Sequence, residues 1–234
     1  MTNGWRAGSS PFVIRASGLR LRTFLPAVRC YSSAMQKNRL EAFSDGVIAI
    51  IITIMVLDLK IPEHGVNWAD LKHVMPIFFS YVLSYVYVGI YWNNHHHMLH
   101  ATKEVSGGVL WANLHFLFWL SLFPFTTGWV GESWLEQNKL WPVPTAVYGI
   151  VLLMAAIAYY ILQCTIIRKE GRNATLAAAI GTDWKGKLSP ALYFAAIPLA
   201  FVNPWISNGL FIFVALIWLV PDRRIERVVE KLHE

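Results

Sequence analysis

From residue 43 to residue 220 the chain is a succession of long apolar runs with almost no charge inside them. This pattern leaves few folds open. A helix of about 20 mostly apolar residues matches the hydrocarbon thickness of a bilayer. Six runs reach or approach that length: 43–61, 75–92, 109–130, 141–167, 188–202 and 205–220. The last two are the shortest and are split at Asn203-Pro204. Proline disfavours helix at the residue before it, so a tight reversal is expected there. Charged residues make up 15% of the chain, against about 25% in ordinary soluble domains. That shortage excludes an ordinary cytosolic enzyme, and the apolar content excludes a disordered chain. The expected fold class is all-α: a polytopic membrane protein with six transmembrane helices. Trp68, Trp129, Trp134 and Trp141 fall at run ends, where indoles anchor spans at the water–lipid boundary.

Of the formal net charge of +6, five units belong to the first 34 residues. They hold Arg6, Arg15, Arg20, Arg22 and Arg29 and no acid, whereas the rest of the chain is nearly balanced. The basicity therefore marks a leader and not a nucleic-acid surface, and no nucleic-acid partner is expected. Residues 1–34 read either as a transit-like segment or as an extension upstream of a start at Met35, without fixed structure. Residues 35–234 form the six-span domain. Cys30 and Cys164 lie in unlike surroundings, which excludes a disulfide framework. Lys37, Arg39 and Lys103 flank one set of run ends, as do Arg168, Lys169, Arg172, Lys185, Lys187 and the basic stretch from Arg223. The opposite connections carry only Lys60, Lys72 and Lys139. By the positive-inside rule both termini face the cytosol. The cell membrane is the expected location, with an organellar membrane as the alternative. Asn173-Ala174-Thr175 matches a glycosylation acceptor but falls on the inner side.

The first run carries the anomaly. Asp45 stands at the entrance of an apolar helix, where a carboxylate needs a partner or water. Arg39 is six residues away, too far round the helix for an i,i+4 pair, so the partner is expected on another helix or subunit. Ser44 and Asp45 together suggest an interhelical polar network, and Gly46 offers a place for a neighbouring backbone to approach. Further along, Ile50, Thr53, Ile54 and Leu57 follow i, i+3, i+4, i+7 spacing and share one helical face. Such a stripe is either a packing surface or, around a symmetry axis, a stack of apolar rings with one hydroxyl ring. Apolar rings gate ions by dewetting, and hydroxyls replace lost water ligands. The period alone leaves both readings open.

Arg39-x-x-x-Phe43-Ser44-Asp45-Gly46, opening the first span, resembles the signature of the transmembrane protein 175 family of potassium-permeable channels. Tyr91-Trp92-x-x-His95-His96, Asn113-Leu114 and Pro124-Phe125 are similar to later stretches of the same family. The resemblance covers the chain from Met35 onward. It implies a homotetramer whose first helices line a central pore for K⁺, set in membrane lipid, without a carbonyl filter loop and without a cofactor. It implies a constriction from Ile50, Ile54 and Leu57 with Thr53 as the hydroxyl layer. Arg39, Phe43, Ser44 and Asp45, with Trp92, His95 and Asn113, correspond to the family's structural and gating network. Proton passage falls within the same expectation.

Two other classes compete. A proton-coupled carrier would use Asp45 as a relay. A membrane enzyme would use Asp45 with the histidines, yet no catalytic motif supports it. His96 and His100, at i,i+4, have the spacing of a metal pair. No Cys, Asp or Glu close in sequence completes a site, Glu104 being the nearest acid, so no metal centre is expected. His95 near the inner end of a pore would make conduction sensitive to pH.

Overall fold

The computed structural model describes residues 24–59, 68–102, 105–137, 139–170 and 184–219, with side chains of the first helix from Lys37 on. Residues 1–23 of the leader, the loop carrying Asn173 and the basic stretch from Arg223 lie outside the described residues. Every described secondary-structure element is a helix: α1 Phe24–Leu57, α2 Trp68–Ala101, α3 Gly107–Ser121, α4 Phe123–Gln137, α5 Pro142–Glu170, α6 Trp184–Val202 and α7 Pro204–Leu219. The backbone of α1 thus runs helically across the boundary at residue 34.

Among the described residues, four segments are long and apolar enough to cross a bilayer: Lys37–Leu57, Val74–His100, Gly107–Trp134 and Pro142–Lys169. The third is not the single helix expected over 109–130. It breaks at Leu122 into α3 and α4. Pro124 has no N–H, and its ring opposes the carbonyl four residues back, which favours a break here, whereas Pro76 of α2 and Pro190 and Pro198 of α6 are accommodated inside continuous helices. Ser106 starts α3 by accepting a hydrogen bond from the Val109 N–H at 3.4 Å.

Cross-helix bonds give the directions. Lys37 Nζ donates to the His100 carbonyl at 2.6 Å, and Trp92 bonds Asp45, so α1 and α2 are antiparallel. The Lys37 ammonium meets the C-terminal end of α2, where the helix dipole favours a cation. Ser207 Oγ donates to the Ala196 carbonyl at 2.7 Å, and Trp218 Nε1 donates to Ser189 Oγ at 2.8 Å. Partners on α7 therefore climb as those on α6 fall, which makes α6–α7 a hairpin. Its turn is Asn203, whose Oδ1 accepts from the Trp205 N–H at 3.0 Å.

The core joins all seven helices through Ile48 and Met55 of α1, Tyr87 of α2, Phe116 of α3, Phe123 of α4, Leu152 and Leu162 of α5, Ala196 of α6 and Phe211 of α7. Lipid tails are as apolar as these side chains, so close packing holds the helices together. Ala155, Ala158, Ala196 and Ala200 are fully buried and let helices approach. At Gly149 an added Cβ would lie 2.9 Å from the Phe211 ring. Outward-facing positions carry Phe78, Phe79, Trp111, Phe125, Phe194 and Phe213, an apolar exterior that a water-soluble monomer would not present.

Candidate functional site

The first helix has two unlike faces. Leu40, Ser44, Ile48, Ile51 and Met55 are buried against α2, α3 and α4. Arg39, Phe43, Gly46, Ile50, Thr53, Ile54 and Leu57 form the opposite stripe, and every one of them is exposed. Ile50 is 57% exposed and Leu57 80%, so the spaced stripe is not a packing surface within the chain. Thr53 Oγ1 donates to the Ile50 carbonyl at 2.9 Å. Its one proton is thereby used within the helix, and the oxygen lone pairs remain for a ligand outside it. Among the described residues, nothing outside the local helix backbone lies within 4 Å of a Cβ added at Gly46, so the close backbone approach expected there does not occur among them.

The expected polar network divides in two. The inner part is dry and joins three helices. His95 Nε2 and Asn113 Oδ1 are 2.7 Å apart, Asn113 Nδ2 donates to Ser44 Oγ at 2.9 Å, and Ser44 Oγ donates to the Leu40 carbonyl at 2.9 Å. Ser44 and Asn113 are 0% exposed and His95 is 1%. Proton counting fixes the direction. The Ser44 hydroxyl is committed to a carbonyl, so it accepts from the Asn113 amide, and Asn113 Oδ1 accepts from His95. His95 therefore carries its proton on Nε2. Its ring also stacks on Phe116, with centroids 5.4 Å apart and planes at 19°.

The second part lies at the surface. Trp92 Nε1 donates to Asp45 Oδ1 at 3.0 Å. The Trp92 ring stacks on His96 with centroids 6.0 Å apart, and His96 on His100 at 6.2 Å. Phe43 is 51% exposed on the adjoining face of α1, and Arg39 is exposed beside it; neither joins the two hydrogen-bonded clusters. Among the described residues no three His, Cys, Asp or Glu side chains gather as metal ligands would. Glu104 lies outside them.

Sequence reasoning overlooked a further buried chain nearer the other end of the spans. Tyr148 OH lies 3.0 Å from Ser84 Oγ, Ser84 Oγ lies 2.7 Å from Thr127 Oγ1, and Thr127 Oγ1 donates to the Phe123 carbonyl at 2.6 Å. It clamps α2, α4 and α5. Hydroxyls scattered in apolar runs were the available signal, but isolated hydroxyls usually bond their own helix. At the C-terminal end of α1, Asp58 borders an open cavity of about 470 Å³ that Glu132 also lines.

The family described as endosomal/lysosomal potassium channel TMEM175 matches residues 39–124, which contain both polar clusters and the exposed stripe. A potassium channel of Chryseobacterium sp. (strain P1-3) is 54% identical over 197 residues, covering 84% of this chain and all of the relative. The endosomal/lysosomal proton channel TMEM175 of Gallus gallus is 28% identical over 80% of this chain, which spans 38% of that larger protein. Among solved structures, a lysosomal potassium-selective channel TMEM175 homolog from Chamaesiphon minutus superposes with a TM-score of 0.70 at 25% identity, covering 80% of this chain and 98% of that one.

Proposed function

Because the chain belongs to the TMEM175 family of potassium channels, we propose that it conducts K⁺ passively through a central pore built from several copies of α1. The observation that carries this reading is the open stripe on α1, where Ile50, Thr53, Ile54 and Leu57 lie exposed opposite a fully packed face. A helix packed on one side only needs either lipid or other subunits on its free side. The hydroxyl at Thr53 and the cation at Arg39 favour a water-lined axis over lipid.

In this reading each subunit contributes six spans, with α3 and α4 joined as one and the α6–α7 hairpin supplying the last two. Four subunits surround the axis, and both termini face the cytosol across a cell or organellar membrane. Ile50, Ile54 and Leu57 form apolar rings that a cation crosses only when the bore is wide enough to stay wet. Thr53 presents oxygen lone pairs between them, where they substitute for shed water. The Ser44–Asn113–His95 cluster holds α1 to α2 and α3, and Asp45–Trp92 works on the side turned toward a neighbouring subunit. Proton passage through the same pore follows from the wet bore and from the named activity of the animal relative.

The family consists of channels, not enzymes, and a coupled carrier remains the competing transport class. Purified protein in liposomes under K⁺ and Na⁺ gradients separates them. A channel passes net current that reverses near the K⁺ potential without a proton gradient. Transport that saturates and requires counter-moving protons would overturn the passive reading.

A further inference from the structure

Most buried polar side chains of this subunit are satisfied by the fold itself. The Tyr148–Ser84–Thr127 chain ends on the Phe123 carbonyl, Tyr87 OH donates to the Phe211 carbonyl, and Ser189 donates to the Lys185 carbonyl while accepting from Trp218. Gln163 breaks the pattern. It sits in the inner half of α5, is only 7% exposed, and its amide makes no hydrogen bond among the described residues. The Tyr91 hydroxyl on α2 makes none there either. Both residues line the same partly open cavity of about 50 Å³, whose described walls come from α2, α5, α6 and α7. Asn94 and Tyr159 share the wall. Neither group is sealed against a neighbour, and two hydrogen-bonding side chains facing one small cavity point to a polar occupant.

We propose that this cavity is a water-binding site, in which a small cluster held by the Gln163 amide and the Tyr91 hydroxyl ties α5 to α2 and the α6–α7 hairpin. The volume chooses water over a larger ligand. One water needs about 10–15 Å³, whereas a cavity known to take an aromatic ring measures about 150 Å³. The space therefore fits about three or four waters and no ring. The wall chemistry agrees. Gln163 offers two donors and an acceptor, and Tyr91 one of each. Asn94 Nδ2 already donates to the Ile90 carbonyl at 2.8 Å, which leaves its side-chain oxygen as a further acceptor. A buried water with two to four such partners is held as firmly as a side chain. No residue of α1 lines the cavity, so the site is separate from the exposed stripe and does not depend on which ion the protein passes.

Cryo-electron microscopy of the wild-type protein in lipid nanodiscs, at a resolution that shows ordered water, tests the site directly. Discrete peaks within hydrogen-bonding distance of the Gln163 amide and the Tyr91 hydroxyl are expected. A cavity without density, or a continuous tube of acyl-chain shape, would overturn the proposal. Thermal unfolding of Gln163→Leu adds a sign. With water bound, the apolar replacement removes hydrogen bonds and the Tm falls. If the native amide were unbonded, the same change would relieve it, and an unchanged or raised Tm would count against the site. The map requires no variant, so it decides even where Gln163→Leu does not fold.

Discussion

Trp92 donates its indole N–H to the Asp45 carboxylate at 3.0 Å, and it does so on an exposed flank of the α1–α2 pair, not in the core. The carboxylate that seemed misplaced in an apolar helix thus has a neutral donor from the antiparallel neighbour. A neutral donor leaves the net negative charge in place, on a flank available to another subunit. Trp92→Phe keeps the ring and removes the donor. Because the pair is exposed, we expect a stability loss of only about 0.5–1.5 kcal/mol. Channel current or oligomer formation should be strongly reduced, as it should in Asp45→Asn. Normal current from a normally assembled Trp92→Phe protein would contradict the assignment.

Asn113 bridges Ser44 and His95 in a site from which water is excluded. Replacing it by Leu strands two buried polar groups at once, each costing about 1–3 kcal/mol. Ser44→Ala strands one. Thermal melts in detergent should therefore rank Asn113→Leu well below Ser44→Ala, and the reverse order would show that the cluster is not shared in this way.

Thr53 keeps its proton on the Ile50 carbonyl and turns its oxygen outward. Thr53→Val preserves the shape and removes that oxygen. Reversal potentials under K⁺/Na⁺ gradients should then move toward zero selectivity, with assembly intact. Ile50→Asn should hydrate the neighbouring ring and relax selectivity as well. Permeability ratios unchanged in both variants would place the stripe against lipid.

Gly149 faces the Phe211 ring and Ile197, and an added Cβ would stand 2.9 and 3.2 Å from them. Phe211 is fully buried and cannot swing aside. Gly149→Ala should cost about 1–3 kcal/mol through overpacking, despite the higher helix propensity of alanine. A melting temperature at or above that of the wild type would show that the α5–α6–α7 junction yields.

Features governed by local chemistry were legible in the sequence. Pro204 announced the hairpin because proline constrains the residue before it. The 50/53/54/57 spacing announced one shared face, although period alone could not say whether that face was packed or open. The expected membership of the polar network mixed two environments. Sequence separation hides them: Asn113 and Ser44 are 69 residues apart, and only the fold puts that pair in the dry interior and Trp92 outside. The break at Leu122 was overlooked because the run stays apolar through Pro124. Hydrophobicity reports burial in lipid, not the continuity of a helix.

The α6–α7 hairpin has a consequence for how the chain enters a bilayer. The described part of α7, Pro204–Leu219, has 16 residues, about 24 Å of helix, short of a hydrocarbon thickness of about 30 Å. Alone, it would be a poor stop for the insertion machinery. Its bonds to α6 run from Ala196 through Ser189, and at the far end Lys185 reaches the Ile217 carbonyl at 3.2 Å. Joined along this length, the two short helices can partition as a single hydrophobic object late in biogenesis. On the six-span reading, the bilayer thins to meet this pair.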